Sequence, residues 1–188
     1  MALTTLDPNT ALIVVDLQKG IVGLPGLPAI DNVIGRARAL ADAFHARGLP
    51  VVLVNVAGVA PGRTEQPLRQ TGGFPEGWTD LIPELDRQSG DIVVTKRSWG
   101  AFATTDLEAR LKARGVTQVV IAGVATGTGV EATARQAYEQ GFNVTLATDA
   151  MTDTRPEAHD YSISNVFPRL GETGATREII DLLPTRSA

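Results

Sequence analysis

The chain has 188 residues, 43% of them hydrophobic and 20% charged, with a formal net charge of −4. These totals suit one soluble domain over residues 1–188 with a sizeable core, and they give no reason to expect nucleic acid or an anionic membrane surface as a partner. Cysteine is absent, which excludes disulfides, thiolate metal sites and a cysteine nucleophile.

The opening residues MALTTLDPNT are polar, and the first apolar run is short and ends in a charge. Neither a signal peptide nor a membrane span is expected, and the cytoplasm is the expected location. That run, Ala11–Asp16 (ALIVVD), predicts a buried strand. Asp31–Arg47 predicts a helix with apolar residues at Val33, Ile34, Ala37, Leu40, Ala41 and Phe44. Asp31 is its expected N-cap and Gly48 the glycine just past its end. Pro50–Val56 (PVVLVNV) is the next strand. The Gly/Pro-rich stretch Ala57–Gly90 has little periodicity, and a loop of that length in a compact domain is usually functional.

Asp91–Lys96 (DIVVTK) predicts a third strand, Asp106–Arg114 a helix stopped by Gly115, and Gln118–Gly123 a fourth strand. Gly129–Gln140 is helical, Phe142–Asp149 (FNVTLATD) is a fifth strand, and Pro156–Phe167 and Gly174–Leu183 are helical. Strands alternating with helices predict right-handed βαβ units and a parallel sheet covered on both faces, an α/β fold. Apolar strands of this kind belong in such a sheet. Ligands then bind at the carboxyl ends of the strands. The first strand ends in Asp16, the third in Lys96, and the fourth in a small-residue elbow, Gly123–Gly129. If their strands are neighbours, these three ends meet. A sheltered carboxylate beside an ammonium can be tuned for proton transfer, although charged residues also cap strand ends for purely structural reasons.

The stretches ALIVVDLQ, VVTKRSWGAF and GVATGTGVEATARQAYEQGFNVTLATDAMTD together resemble the isochorismatase-like hydrolases, also called the cysteine hydrolase superfamily. The resemblance runs from Ala11 to about Leu183. It implies a three-layer α/β/α architecture with a six-stranded, mostly parallel sheet, and commonly a dimer or tetramer. It implies that Asp16 is the acid/base, that Lys96 is its cationic partner, and that the position of the usual Cys nucleophile is Gly129. Glycine cannot form an acyl-enzyme. The isochorismatases proper resemble this chain better, since they carry glycine there and cleave a vinyl ether without a covalent intermediate. In that chemistry the Asp protonates the enolpyruvyl methylene, water adds to the oxocarbenium ion, and the hemiketal collapses to pyruvate and an alcohol. The resemblance also implies a cis Val124–Ala125 peptide that turns backbone amides into the pocket.

Metal-binding amidases of the family carry Asp and His ligands after the second strand, where this chain reads NVAGVAPGRTEQP. With only His45 and His159 in the chain, no metal and no cofactor are expected, and both histidines are expected to be structural. The elbow, through Ala125, Thr126, Thr128 and Gly129, offers backbone N–H groups, hydroxyls and space, a place to hold a substrate or a developing negative charge. Gly127-Thr-Gly-Val-Glu-Ala132 followed by Asp149 also imitates a dinucleotide fingerprint, but that motif belongs on the first βα turn, and Asp149 is read instead as a strand-end cap.

Trp99 and Phe102 either wall the pocket or pack beneath the loop. Gln18 either donates to substrate or closes a turn. The long loop supplies Arg63, Gln66, Arg69, Phe74 and Trp78, and either arginine suits a substrate carboxylate. Three functions stay open: a vinyl-ether hydrolase acting on a small carboxylate, an amide or ester hydrolase using activated water, and a pocket that binds a small molecule without turnover.

Overall fold

The computed structural model describes residues 3–66 and 73–184. Six strands form one parallel sheet: β1 (Thr10–Val15), β2 (Val51–Val56), β3 (Ile92–Lys96), β4 (Gln118–Val124), β5 (Asn143–Thr152) and β6 (Glu172–Gly174). Their order across the sheet is β3-β2-β1-β4-β5-β6. The chain builds outward from β1 to β3, then crosses back to place β4 on the other side of β1. Between β1 and β4 the direction of winding reverses, and a crevice opens at their carboxyl ends, where ligands bind in folds of this kind.

The strands are apolar on both faces because both faces are covered. On one face Leu12, Val14, Leu53 and Val120 pack with the buried stripe Val33, Ala37, Leu40, Ala41 and Phe44 of α2 (Ile30–Ala46), and with Ile179 of α6 (Thr176–Leu182). On the other, Ile13, Val15, Val52 and Ile121 pack with Leu107 and Leu111 of α3 (Leu107–Lys112), and with Ala134 and Ala137 of α4 (Glu131–Glu139). Two short helices are also described, α1 (Lys19–Val22) and α5 (Pro156–Tyr161). Among the described residues no helix is long and apolar enough to cross a membrane.

Several boundaries differ from the sequence expectation for local reasons. Helix α2 starts one residue before Asp31, after a left-handed Ala29 at φ 50°, so Asp31 lies in the first turn instead of capping it. The far end of α2 follows expectation. Gly48 is left-handed at φ 68°, its N–H donates to His45 O, and Leu49 N–H donates to Phe44 O, the double bond of a Schellman stop. Strand β5 runs on to Thr152, so Asp149 is not a strand-end cap. Its carboxylate accepts from the Thr176 N–H and hydroxyl at 2.7 and 2.8 Å, closing the start of α6, and it pairs with Arg36. The helix expected over 156–167 ends at Tyr161 and loosens into wider and tighter turns, Ser162–Val166 and Phe167–Arg169. The stretch after β2 is pinned in part by the one-turn Pro83–Leu85 helix and by an antiparallel bridge between Gln18 and Leu81.

Candidate active site

Asp16 follows the last residue of β1 and bends the chain sharply, at φ 54°. Its N–H still donates to Val54 O, so the backbone remains tied to β2 while the side chain turns toward the crevice. Lys96 is the last residue of β3, two strands away, and its long side chain reaches across β2. Lys96 Nζ lies 2.8 Å from Asp16 Oδ2 and donates a second bond, 3.1 Å, to Ser98 O. Both side chains are deeply buried, 2% and 8% exposed. Burial pushes the Asp16 carboxyl up from 3.8 to about 6, while the Lys96 charge and hydrogen bond pull it partway back. The other oxygen, Oδ1, is buried and accepts no hydrogen bond from the described residues.

The elbow follows β4. The Val124–Ala125 peptide is cis, and Thr126–Val130 forms one wide helical turn leading into α4. Gly129 sits against the carboxylate: a methyl group on its Cα would stand 3.2 Å from Asp16 Oδ2 and 3.1 Å from Val124 O. Three of the elbow amides already have partners. Gly127 N–H donates to Asp153 Oδ2 at 2.8 Å, and Thr128 and Val130 N–H each donate to Ala125 O at 3.1 Å. The elbow therefore offers a substrate fewer free donors than its sequence promises, because the protein's own carboxylate, Asp153, occupies part of the turn.

Asp16, Lys96, Thr128 and Gly129 line one side of a cavity of about 470 Å³. Its other walls are Val56, Ala57, Gly58 and Val59 beyond β2, Phe74 and Trp78 from the long loop, and Ser98 and Trp99 after β3. The Phe74 and Trp78 rings stack, centroids 4.2 Å apart and planes within 16°. Trp99 stands at the rim, 66% exposed. A larger hollow of about 730 Å³ opens at the opposite end of the sheet, beside Val51 and Ile92, the first residues of β2 and β3. There His45 Nε2 is 2.6 Å from Asp91 Oδ1. It lies at the wrong strand ends for the ligand site of such a fold and holds no carboxylate–ammonium pair like Asp16–Lys96, so the smaller cavity is the candidate site.

Of the residues singled out in the sequence, Asp16, Lys96, Trp99, Thr128, Gly129, Phe74 and Trp78 come together here. Others are placed elsewhere. Phe102 is buried in the core beside Phe142, ring centroids 6.0 Å apart, and does not line the cavity. Its position is dictated by backbone bonds from Phe102 and Ala103 N–H to Gln136 Oε1. Gln18 is fully buried and closes the turn: Nε2 donates to Val56 O and Trp78 O, and Oε1 accepts from Val56 N–H. Thr126 is buried with its hydroxyl 2.8 Å from His159 Nδ1, and Ala125 packs against the α2-side core. Arg63 and Gln66 are exposed and do not line the cavity, while Arg69 lies outside the described residues. Lys96 is the cation among the described lining residues. Among the described residues no group of three or more His, Asp or Glu side chains is placed to hold a metal ion.

Sequence reasoning missed Asp153 and Thr133. Asp153 obeys the strand-end rule that found Asp16, but β5 was expected to stop at Asp149. Thr133 is one more small residue in a helical pattern until α4 is folded against two loops.

Residues 10–178 match the sequence profile of the isochorismatase domain. The chain is 41% identical over 181 residues to the uncharacterized isochorismatase family protein YecD of Escherichia coli O157:H7, covering 93% of this chain and 96% of that one. It is similar to the solved structure of an isochorismatase family protein from Burkholderia thailandensis, with a TM-score of 0.90, 38% identity, and 95% and 97% of the two chains covered. It is also 33% identical over 193 residues to the ureidoacrylate amidohydrolase RutB of Stutzerimonas stutzeri (strain A1501), covering 85% of this chain and 77% of that one.

Proposed function

The chain belongs to the isochorismatase family of hydrolases, and from that premise we propose that it cleaves the vinyl ether of a small carboxylate of isochorismate type, with Asp16 as general acid and no covalent enzyme intermediate. The observation that carries this reading is the state of Asp16. One oxygen is held by Lys96, the other is buried with no partner among the described residues, and burial lifts the carboxyl to about 6. A carboxylic acid of that kind still carries its proton in part of the population near neutral pH, as protonation of carbon requires. With Oδ2 engaged by Lys96, Oδ1 is the oxygen that holds and delivers the proton. Transfer to the terminal methylene carbon leaves an oxocarbenium ion and an Asp16 carboxylate, which the Lys96 ammonium stabilises in place. Water adds to the cation, the water's proton returns to Asp16, and the hemiketal breaks to a 2-oxo acid and an alcohol.

Gly129 supports the same reading. It removes the atom that would attack a carbonyl and leaves space beside Asp16 for the substrate. The aromatic wall of Phe74, Trp78 and Trp99 suits a ring-bearing substrate, and general-acid catalysis contributes roughly 10²–10⁴-fold, the remainder coming from positioning in the crevice. The same reading takes the chain as one catalytic domain working in the cytoplasm as a homo-oligomer, a dimer or tetramer.

The likeness to an amidohydrolase favours a second reading, in which Asp16 acts as a base on water that attacks an amide or ester carbonyl. One pair of assays separates the two. Isochorismate is supplied and pyruvate followed with a coupled lactate dehydrogenase, and in parallel ureidoacrylate and nicotinamide are supplied and the released ammonia followed, each with Asp16→Asn as control. Pyruvate release that depends on Asp16 upholds the vinyl-ether reading. Ammonia without pyruvate replaces it with amide hydrolysis.

A further inference from the structure

Helix α4 touches both halves of the site through Thr133 and Gln136, which do not line the cavity beside Asp16. The Thr133 hydroxyl is fully buried and uses both of its bonding directions: it donates to Gly129 O at 2.7 Å and accepts from Ala101 N–H at 3.1 Å. One turn on, Gln136 Oε1 accepts from Phe102 and Ala103 N–H at 3.0 and 3.3 Å. The backbone at Gly100 lies so close to this amide that a Cβ there would overlap it, so the glycine is what lets Gln136 reach its partners. Ser98, in the same loop, donates from its hydroxyl to Gly100 O and takes the second hydrogen bond of Lys96 Nζ on its carbonyl.

Two paths therefore lead from α4 to one carboxylate. The first runs from Thr133 through Gly129, whose Cα faces Asp16 Oδ2. The second runs from Thr133 and Gln136 through the loop 98–103 to Lys96, which holds the same oxygen. We propose that Thr133 and Gln136 are positioning residues: they set the Lys96 loop against the elbow and so determine how firmly Lys96 holds Asp16. The proposal rests on the reading of Asp16 and Lys96 as the reacting pair. Lys96 is the charged group that the described cavity wall brings against Asp16.

Loosening the strut weakens a contact that favours the charged form of Asp16 and leaves its burial in place. The Asp16 carboxyl then titrates higher. A strut that merely stabilises the fold leaves that midpoint where it is in every variant that folds.

The test needs no substrate. The protein is labelled with ¹³C at aspartate carboxyls, the Asp16 signal is identified by its loss in Asp16→Asn, and its titration is followed in Thr133→Val, Thr133→Ser and Gln136→Leu. The expected result is a midpoint in Thr133→Val and Gln136→Leu raised by at least about half a pH unit above that of the native protein, with Thr133→Ser, which keeps the hydroxyl, restored to the native value. The two tryptophans of the chain, Trp78 and Trp99, both line the cavity, so their fluorescence should move in the same variants. An unchanged midpoint in folded Thr133→Val overturns the proposal, as does a Thr133→Ser protein that behaves like Thr133→Val. If Thr133→Val does not fold, Gln136→Leu decides, and its unchanged midpoint is equally fatal. Failure to hydrolyse any vinyl ether would remove the proposed reaction and leave this titration standing on its own.

Discussion

Lys96 Nζ stands 2.8 Å from Asp16 Oδ2, although the strands that carry the two residues are separated by β2. A buried pair of this kind is weak evidence for stability, because desolvating both charges offsets most of their attraction. It is better evidence for chemistry, since it leaves one carboxyl oxygen committed and the other without a partner among the described residues, beside a cavity. Asp16→Asn keeps the shape and removes the proton. It is expected to lower kcat/KM by about 10²–10⁴-fold, measured as product release from the substrate that the wild type turns over.

The pH dependence separates the two readings by sign. If Asp16 is a general acid, the reactive form is protonated, and kcat/KM falls as pH rises through about 6. If Asp16 is a base acting on water, the reactive form is the carboxylate, and kcat/KM rises through the same range. Lys96→Met removes the charge that holds the carboxylate down, so the midpoint of either profile moves upward. A profile flat from pH 5 to 8 would show that Asp16 does not control the rate.

Gly129→Ala probes the space beside the carboxylate. The new methyl group would meet Val124 O at 3.1 Å and both Asp16 Oδ2 and Val15 Cγ1 at 3.2 Å, tighter than comfortable contact. Crowding of about 1–3 kcal/mol is partly offset by the better helix propensity of alanine. Urea unfolding should therefore register a loss of no more than about 2 kcal/mol. If Asp16 is the reacting group, turnover should fall by about tenfold or more, because its carboxylate is displaced.

Gln18→Ala distinguishes a loop clamp from a substrate ligand. Its amide joins Val56 N–H, Val56 O and Trp78 O. Removing it leaves buried backbone groups unpaired, at a cost of about 2–3 kcal/mol in unfolding free energy. The Trp78 wall should loosen with it, seen as a red shift of tryptophan emission. Full stability with a raised KM would instead make Gln18 a ligand.

Asp149→Ala serves as a contrast distant from the chemistry. The carboxylate caps α6 through Thr176 and pairs with the half-exposed Arg36. Its loss should lower stability by about 1–2 kcal/mol and leave kcat/KM unchanged.

The local chemistry of the chain is enough to determine most of the elements and to single out Asp16 and Lys96 as candidates. Runs such as ALIVVD and PVVLVNV can be little other than strands covered on both faces, and the stripe from Val33 to Phe44 can be little other than a helix laid on them. Asp16 and Lys96 were legible because each is a charge at the end of an apolar run, and the resemblance to a family of known topology put them in one site. The cysteine-free sequence alone also excludes a thiol nucleophile.

What the tertiary structure decided are the relations between segments distant in sequence. It set the strand order, which placed β1 beside β4 and brought Lys96 across β2. It drew β5 past Asp149 to Thr152, because pairing with β4 resumes after a register shift between Ile121 and Gly123. That extension left Asp149 to cap α6 and Asp153 to hold the elbow. It turned Phe102 into the core and Gln18 into a clamp, because backbone groups in the loops around them needed partners out of reach of water. A sequence displays which side chains can donate, accept or carry charge. Which of those capacities remain free for a substrate depends on how many the folded backbone has already used.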